Sequence, residues 1–314
     1  MPTTMTPIPN TSPPTSTTTT SPKTKTKPKI PITLTGVAKT LLIPLIARAY
    51  DNTLTSPILG DPYAQEVLSK LSFDMDEMPT TPFQNAGISL RTKHFDKWTS
   101  SFLRTNPATT VLHLACGFDS RARRVKWGER TRWIDVDLPE VIELRREVLP
   151  LSFPTGNEQD YSLLGIDVTH ETWMHDIHIG DGPVLVIMEG LLSYLPEKEV
   201  RALLTRICET FPEGEIIFEC VSSPVVSWLN RPESMKAVSN TGAVFKSSID
   251  HPIALEDLHP GLKLVENVSL LLAPGTEKFP LLARVRMYLS SWFQSGRDSA
   301  RFLRFKFGEA DVLG

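Results

Sequence analysis

The chain has 314 residues, 40% of them hydrophobic and 22% charged, which suits a folded protein built as one large α/β domain or two small ones. A formal net charge of -3 gives no basic footprint and argues against a nucleic-acid partner. The longest apolar run, TLLIPLIARAY, is too short to cross a bilayer and no charged-then-apolar leader is visible, so the expected compartment is the cytoplasm, away from membranes.

Residues 1–31 are almost entirely Thr, Pro, Ser and Lys, too poor in apolar side chains to offset the entropy of ordering, and are expected to form a disordered tail. Residues 32–314 are expected to form a single domain. Its first part, 32–106, reads as a helical cap: TGVAKTLLIPLIARAYDN and DPYAQEVLSKL suggest two helices. SLRTKHFDKWTSSFLRTNP adds a third, with Phe95, Trp98, Phe102 and Leu103 at helical spacing and Pro107 closing it.

From 107 to 221 the pattern alternates. Candidate strands TVLHLAC, RWIDVD, LLGIDV, PVLVIME and EIIFECV are separated by helices such as LPEVIELRREVL and PEKEVRALLTRICETF. The second of these helices sets Val200, Leu203, Leu204, Ile207 and Phe211 on one stripe. Short apolar strands between helices predict an α/β fold with a mostly parallel, Rossmann-like sheet and helices on both faces. Residues 222–260 show little periodicity and read as a lid or substrate-facing insertion. Between 261 and 314 two further strands, LKLVENVSLLLA and FLRFKFGE, flank the helical LLARVRMYLSSWFQS, giving a seven-stranded sheet. That closing pair is what class I methyltransferases add to the doubly wound plan. Cys116, Cys208 and Cys220 show no metal or redox spacing and read as buried, reduced thiols.

Ligands of open α/β sheets sit beyond the carboxyl ends of the strands. Gly117 follows the first strand of the alternating region, where a missing side chain lets a ligand approach the backbone. Asp137 ends the next strand, 20 residues on, a spacing that suits a carboxylate accepting ribose hydroxyls. A dinucleotide site would use G-x-G-x-x-G to seat a pyrophosphate, but the three positions here are Ala115, Gly117 and Ser120. S-adenosyl-L-methionine has no phosphate, and its sulfonium favours nearby carboxylates. Asp119, Asp135, Asp137, Asp167 and Glu189 all lie at or near strand ends.

VLHLACGFDSR, WIDVDLPEVIELRREVLP, PVLVIMEGLLSYLPEKEVRALL and DHPIALEDLHPGLKLVE together resemble the leucine carboxyl methyltransferase superfamily, and within it most resemble the tetracenomycin-type polyketide O-methyltransferases. The resemblance spans roughly residues 34–310. It implies that Arg91 pairs with the methionyl carboxylate of the cofactor and that Gly117 is the close-approach glycine. It makes Asp137 the ribose-binding carboxylate, with Asp135 either sharing that role or facing away. Asp167 and the backbone of Val168 would meet the adenine, and Glu189 would line the pocket near the transferred methyl. Ala115 departs from the family's usual glycine, a change expected to narrow the turn without abolishing binding. Asp119 is expected to cap the following helix.

Tyr194 is the candidate for orienting the acceptor, or else a core aromatic. Trp228, Phe245, Trp292 and Phe293 are candidates for an apolar acceptor pocket, or for core. No metal is expected: His170, His175 and His178 lack a fixed tetrahedral spacing with a further ligand, and His113 reads as packing. The resulting expectation is an S-adenosylmethionine-dependent O-methyltransferase acting on a hydroxyl of a small secondary metabolite. Carboxyl methylation is the alternative; an NAD-dependent oxidoreductase or a non-catalytic cofactor-binding protein ranks lower.

Overall fold

A computed structural model describes residues 28–149 and 160–308. Most of the expected tail, residues 1–27, lies outside the described residues. Ile30–Pro31 pair in parallel with Leu71–Ser72, so ordered chain starts slightly before residue 32.

After a single helical turn at Gly36–Lys39, three longer helices form the cap: α1 (Leu42–Asn52), α2 (Pro62–Lys70) and α3 (Pro82–Thr105). Pro44 falls in the first turn of α1, where a missing N–H costs nothing. Asp61 caps α2 by accepting the Tyr63 and Ala64 N–H groups. Helix α3 begins seven residues before the expected Ser89. Thr81 and Gln84 close a capping box there, with Pro82 in the first turn, a start signal the aromatic periodicity alone does not reveal.

The sheet then builds in chain order: β1 (Thr109–Leu114), β2 (Thr131–Asp137), helix α4 (Pro139–Val148), β3 (Tyr161–Gly165) and β4 (Val184–Met188). Helix α5 (Glu197–Thr210), β5 (Gly214–Val221), helix α6 (Ser223–Leu229), β6 (Lys263–Ser269), helix α7 (Leu281–Ser290) and β7 (Ala300–Phe307) complete it. The seven strands lie in the order β3-β2-β1-β4-β5-β7-β6. The first five are parallel, and β7 runs antiparallel to both β5 and β6. This is the class I methyltransferase sheet that the sequence pattern predicted.

Every residue of β1 and β4 is buried, as expected of central parallel strands covered on both faces. Alternate side chains divide between two cores. Leu112, Ile134, Val186 and Phe218 meet the apolar stripe of α5 on one face. Val111, Trp133, Ile187 and Ile217 meet Phe95, Trp98 and Phe102 of α3 on the other. A third cluster joins α1 and α2 to Phe118, so the cap packs directly on the loop after β1. The three cysteines are buried free thiols.

Candidate active site

The carboxyl ends of the parallel strands open into a cavity of about 490 Å³, roofed by the turn before α1 and by segments of 222–260. That volume falls in the ordinary range of ligand sites. The loop after β1 shapes one wall. Ala115 and Gly117 both take the left-handed backbone conformation, at φ 51° and 47°. A methyl group on Gly117 would stand 3.3 Å from Leu41 Cβ, so glycine keeps this approach open.

The Gly117 N–H donates to Asp137 Oδ2 at 2.7 Å, and the Leu138 N–H donates to Oδ1 at 2.8 Å. Burial raises the Asp137 carboxyl from its ordinary value, against the pull of these two backbone donors. The two bonds fix the carboxylate in the cavity wall and leave further lone pairs for hydroxyl donors. At the next strand end, Asp167 is exposed and turns one oxygen onto Thr169 N–H and hydroxyl, while Val168 is buried behind it; both line the cavity.

Asp135 is a correction. It shares a strand face with Asp137, since residues two apart on a strand point the same way, but it lies one pleat deeper. It is wholly buried, accepts from Trp133 Nε1 at 2.8 Å and Tyr161 Oη at 2.6 Å, and forms an ion pair with Arg145. Burial opposes its ionisation, yet Arg145 and its other donors hold its carboxyl well below the usual range. It does not reach the cavity; it anchors Arg145, whose Nη1 donates to the Gly117 carbonyl at 2.7 Å.

Glu189, at the end of β4, sits in a buried ionic cluster. It accepts from Arg91 Nε at 3.0 Å, Thr92 Oγ1 at 2.6 Å and Arg121 Nη2 at 2.6 Å. Burial works against its ionisation, but Arg91 and Arg121 prevail and hold its carboxyl at about 2. Arg91 also donates from Nη1 to Glu219 Oε1 at 3.1 Å, so one guanidinium spans two strand ends. Glu219 takes the Gly190 N–H at 2.7 Å as well, and burial pushes its carboxyl up despite Arg91. Asp119 accepts the Arg121 N–H at 2.9 Å and is paired with Arg121 and Arg124, but the cap position of the short helix Arg121–Arg124 falls to Ser120, so Asp119 is not the expected cap.

The far wall is apolar and aromatic. Tyr194 stacks on Phe245 with ring centres 5.0 Å apart and planes 21° from parallel. Burial pushes the Tyr194 phenol up to about 12, so it stays protonated at neutral pH. Leu229, Met235 and Lys246 complete this wall, all from the segment expected to face the substrate.

A family model described as leucine carboxyl methyltransferase matches residues 42–208. The tetracenomycin polyketide synthesis O-methyltransferase TcmP of Streptomyces glaucescens is 37% identical over 275 residues, covering 87% of this chain and 95% of that protein. The chain belongs to the leucine carboxyl methyltransferase family. A second relative, the S-adenosyl-L-methionine-dependent methyltransferase dpfgK of Gibberella zeae, is 35% identical over 280 residues, covering 84% of this chain and 93% of its own. A solved DUF574-family protein from Streptomyces avermitilis aligns at a TM-score of 0.52 and 14% identity, over 83% of this chain and 97% of that one, a likeness of fold.

This leucine carboxyl methyltransferase family member is an S-adenosylmethionine-dependent methyltransferase. The cavity brings together seven of the eight residues the sequence nominated: Arg91, Gly117, Asp137, Asp167, Val168, Glu189 and Tyr194. It adds Glu219 and Lys246, which sequence reasoning missed. Glu219 lies two residues before the end of the fifth strand and comes beside Glu189 because Met188 pairs with Phe218, a register that strand-end position alone does not show. His113 lines the cavity as well as the core, 3.3 Å from Arg121 Nη1. Of the four aromatics expected in an acceptor pocket or core, only Phe245 lines the cavity. Trp228, Trp292 and Phe293 are largely exposed and belong to neither.

Proposed function

We propose that this methyltransferase acts on an oxygen of a small secondary metabolite of polyketide type, in the cytoplasm, and that the acceptor enters already ionised. S-adenosylmethionine supplies an electrophilic methyl group on a sulfonium. Asp137 would hold the ribose, Asp167 and Val168 the adenine edge, and Arg91 the methionyl carboxylate. The fit rests on the close-approach glycine and on a carboxylate pre-oriented by two backbone N–H groups. Tyr194 would orient the acceptor against Phe245.

The observation that carries the acceptor reading is the state of the cavity's own acids and bases. Asp137, Glu189 and Asp119 already accept from backbone or guanidinium donors, Tyr194 is protonated, and the second oxygen of Glu219 is enclosed by protein. Glu189 and Glu219, the two acids held by Arg91, would have to give up that ion pairing to take a proton from the acceptor. Displacement at a sulfonium methyl then depends on positioning and water exclusion, with the nucleophile ionised beforehand. An acidic hydroxyl on a conjugated ring meets that demand.

A carboxylate meets it too, and the family description supports that second reading. The exposed cation Lys246, which has no carboxylate partner among the described residues, suits either anion. Matched aromatic acceptors bearing a hydroxyl or a carboxyl test the proposal through kcat/KM against pH. The expected profile follows the pKa of each acceptor. A profile that keeps one inflection whatever the acceptor would assign proton removal to an enzyme base instead.

A further inference from the structure

Helix α7 turns its apolar side outward. Leu281, Leu282, Val285, Tyr288 and Leu289 recur at helical spacing, and Trp292 and Phe293 extend the stripe past the helix end. Exposure of these seven runs from 49% for Val285 to 73% for Leu281. The opposite side of the helix packs inward through Met287 and Ala283, onto the core that contains Phe279 and Phe302. At about 100° per residue the stripe centres roughly diametrically across from Met287. Arg284 and Arg286 stand on its two shoulders, and no acidic residue occurs from 281 to 293.

We propose that this stripe is the contact through which two copies of the chain pair as a symmetric dimer. The area is of the right size. The three aromatic side chains, of about 150–250 Å² each, supply on the order of 400 Å² at these exposures, and the four aliphatic ones bring the patch toward the roughly 800 Å² per-partner share of a standard interface. Its make-up also fits: an apolar centre rich in Trp, Tyr and Phe with arginine at the rim is the anatomy of protein contacts, whereas a monomer's surface rarely gathers so many large apolar groups.

The rest of the chain does not match the stripe in composition. Residues 1–27 hold only Met1, Met5 and Ile8 as large apolar side chains, residues 150–159 only Leu151 and Phe153, and residues 309–314 only Val312 and Leu313. A bilayer is the weaker occupant. Interfacial helices combine their apolar face with a dense basic one, and here two arginines serve a chain whose net charge is -3. A two-fold axis needs only one self-complementary patch.

The test is the molar mass of the full chain in solution, by light scattering, from about 1 to about 100 µM because dimer stability depends on concentration. The expected mass is twice 35.1 kDa. Leu289→Glu with Trp292→Ser, and separately Val285→Asp, should raise the dimer dissociation constant at least about 100-fold. Because these side chains are exposed in the single chain, both variants should keep the wild-type S-adenosylhomocysteine affinity, and should match the melting temperature of the wild type at dilutions where it is monomeric. A wild-type monomer at the highest concentration overturns the proposal, as does a dimer indifferent to both variants. A monomer that co-floats with phosphatidylcholine/phosphatidylglycerol vesicles would assign the stripe to a membrane and overturn it as well.

Discussion

Asp135 and Asp137 share one face of β2 a single pleat apart, and only the outer carboxylate reaches the cavity. Asp137 takes the Gly117 N–H, while Asp135 is spent on Arg145, which in turn holds the Gly117 carbonyl. The inner acid thus positions the loop that the outer acid touches and that we propose meets the cofactor.

Substitution of the two aspartates should therefore separate binding from folding. Asp137→Ala should weaken S-adenosylhomocysteine about 10- to 100-fold, since charge-assisted hydrogen bonds contribute about 1.5–3 kcal/mol, with a small effect on melting. Asp135→Ala leaves Arg145 buried without its partner and should cost about 3–5 kcal/mol of stability by urea denaturation. Equal binding losses with equal stability losses would contradict this division.

Arg91 should distinguish the two ends of the cofactor. Arg91→Lys keeps a charge near Glu189 and Glu219 but loses the forked geometry that grips a carboxylate. Affinity for S-adenosylhomocysteine should fall about tenfold, a cost of about 1.4 kcal/mol, while that for adenosine, which has no carboxylate, stays level. A matching loss for adenosine would place Arg91 elsewhere in recognition.

Ala115 carries a methyl group in the left-handed region, at φ 51°. That conformation costs a non-glycine residue about 1–2 kcal/mol, and the extra unfolded-state freedom of glycine offsets part of the relief. Ala115→Gly should stabilise the protein by roughly 0.5–1 kcal/mol without loss of cofactor affinity. Thermal melts with and without ligand check both halves of the statement.

His94 makes stability depend on pH. It packs between Trp98 and Phe302, and its Nε2 is buried without a partner. Burial, helped by the Lys97 charge, lowers it to about 4, against about 6.5 in an unfolded chain. Between those values the unfolded chain binds the proton that the folded chain refuses, so stability rises with pH across this window and falls as pH drops through it. His94→Phe should flatten that part of the curve. An unchanged slope in denaturation midpoints from pH 7 to pH 4 would remove His94 as its source.

The sheet was legible in the sequence because buried parallel strands must be short apolar runs, and their ends necessarily point acidic residues such as Asp137 and Glu189 at one cleft. The residues that misled are those whose surroundings come from distant segments. Asp135 looked like Asp137 because sequence spacing does not record depth along a pleat, and Arg145 and Tyr161 arrive from later elements. Trp292 and Phe293 looked like pocket or core because apolar character says nothing about which side of a helix the rest of the chain covers. The capping box at Thr81 and Gln84 was readable locally, yet the aromatic stripe drew the helix start to Ser89.

The most direct test of the assigned site is a crystal structure of the protein saturated with S-adenosylhomocysteine. The expected result places the ribose hydroxyls within hydrogen-bond distance, about 2.6–3.2 Å, of Asp137 and the amino-acid carboxylate on Arg91, with the sulfur facing the wall of Tyr194 and Phe245. A ligand seated away from Asp137, or with its carboxylate turned from Arg91, would contradict the assignment.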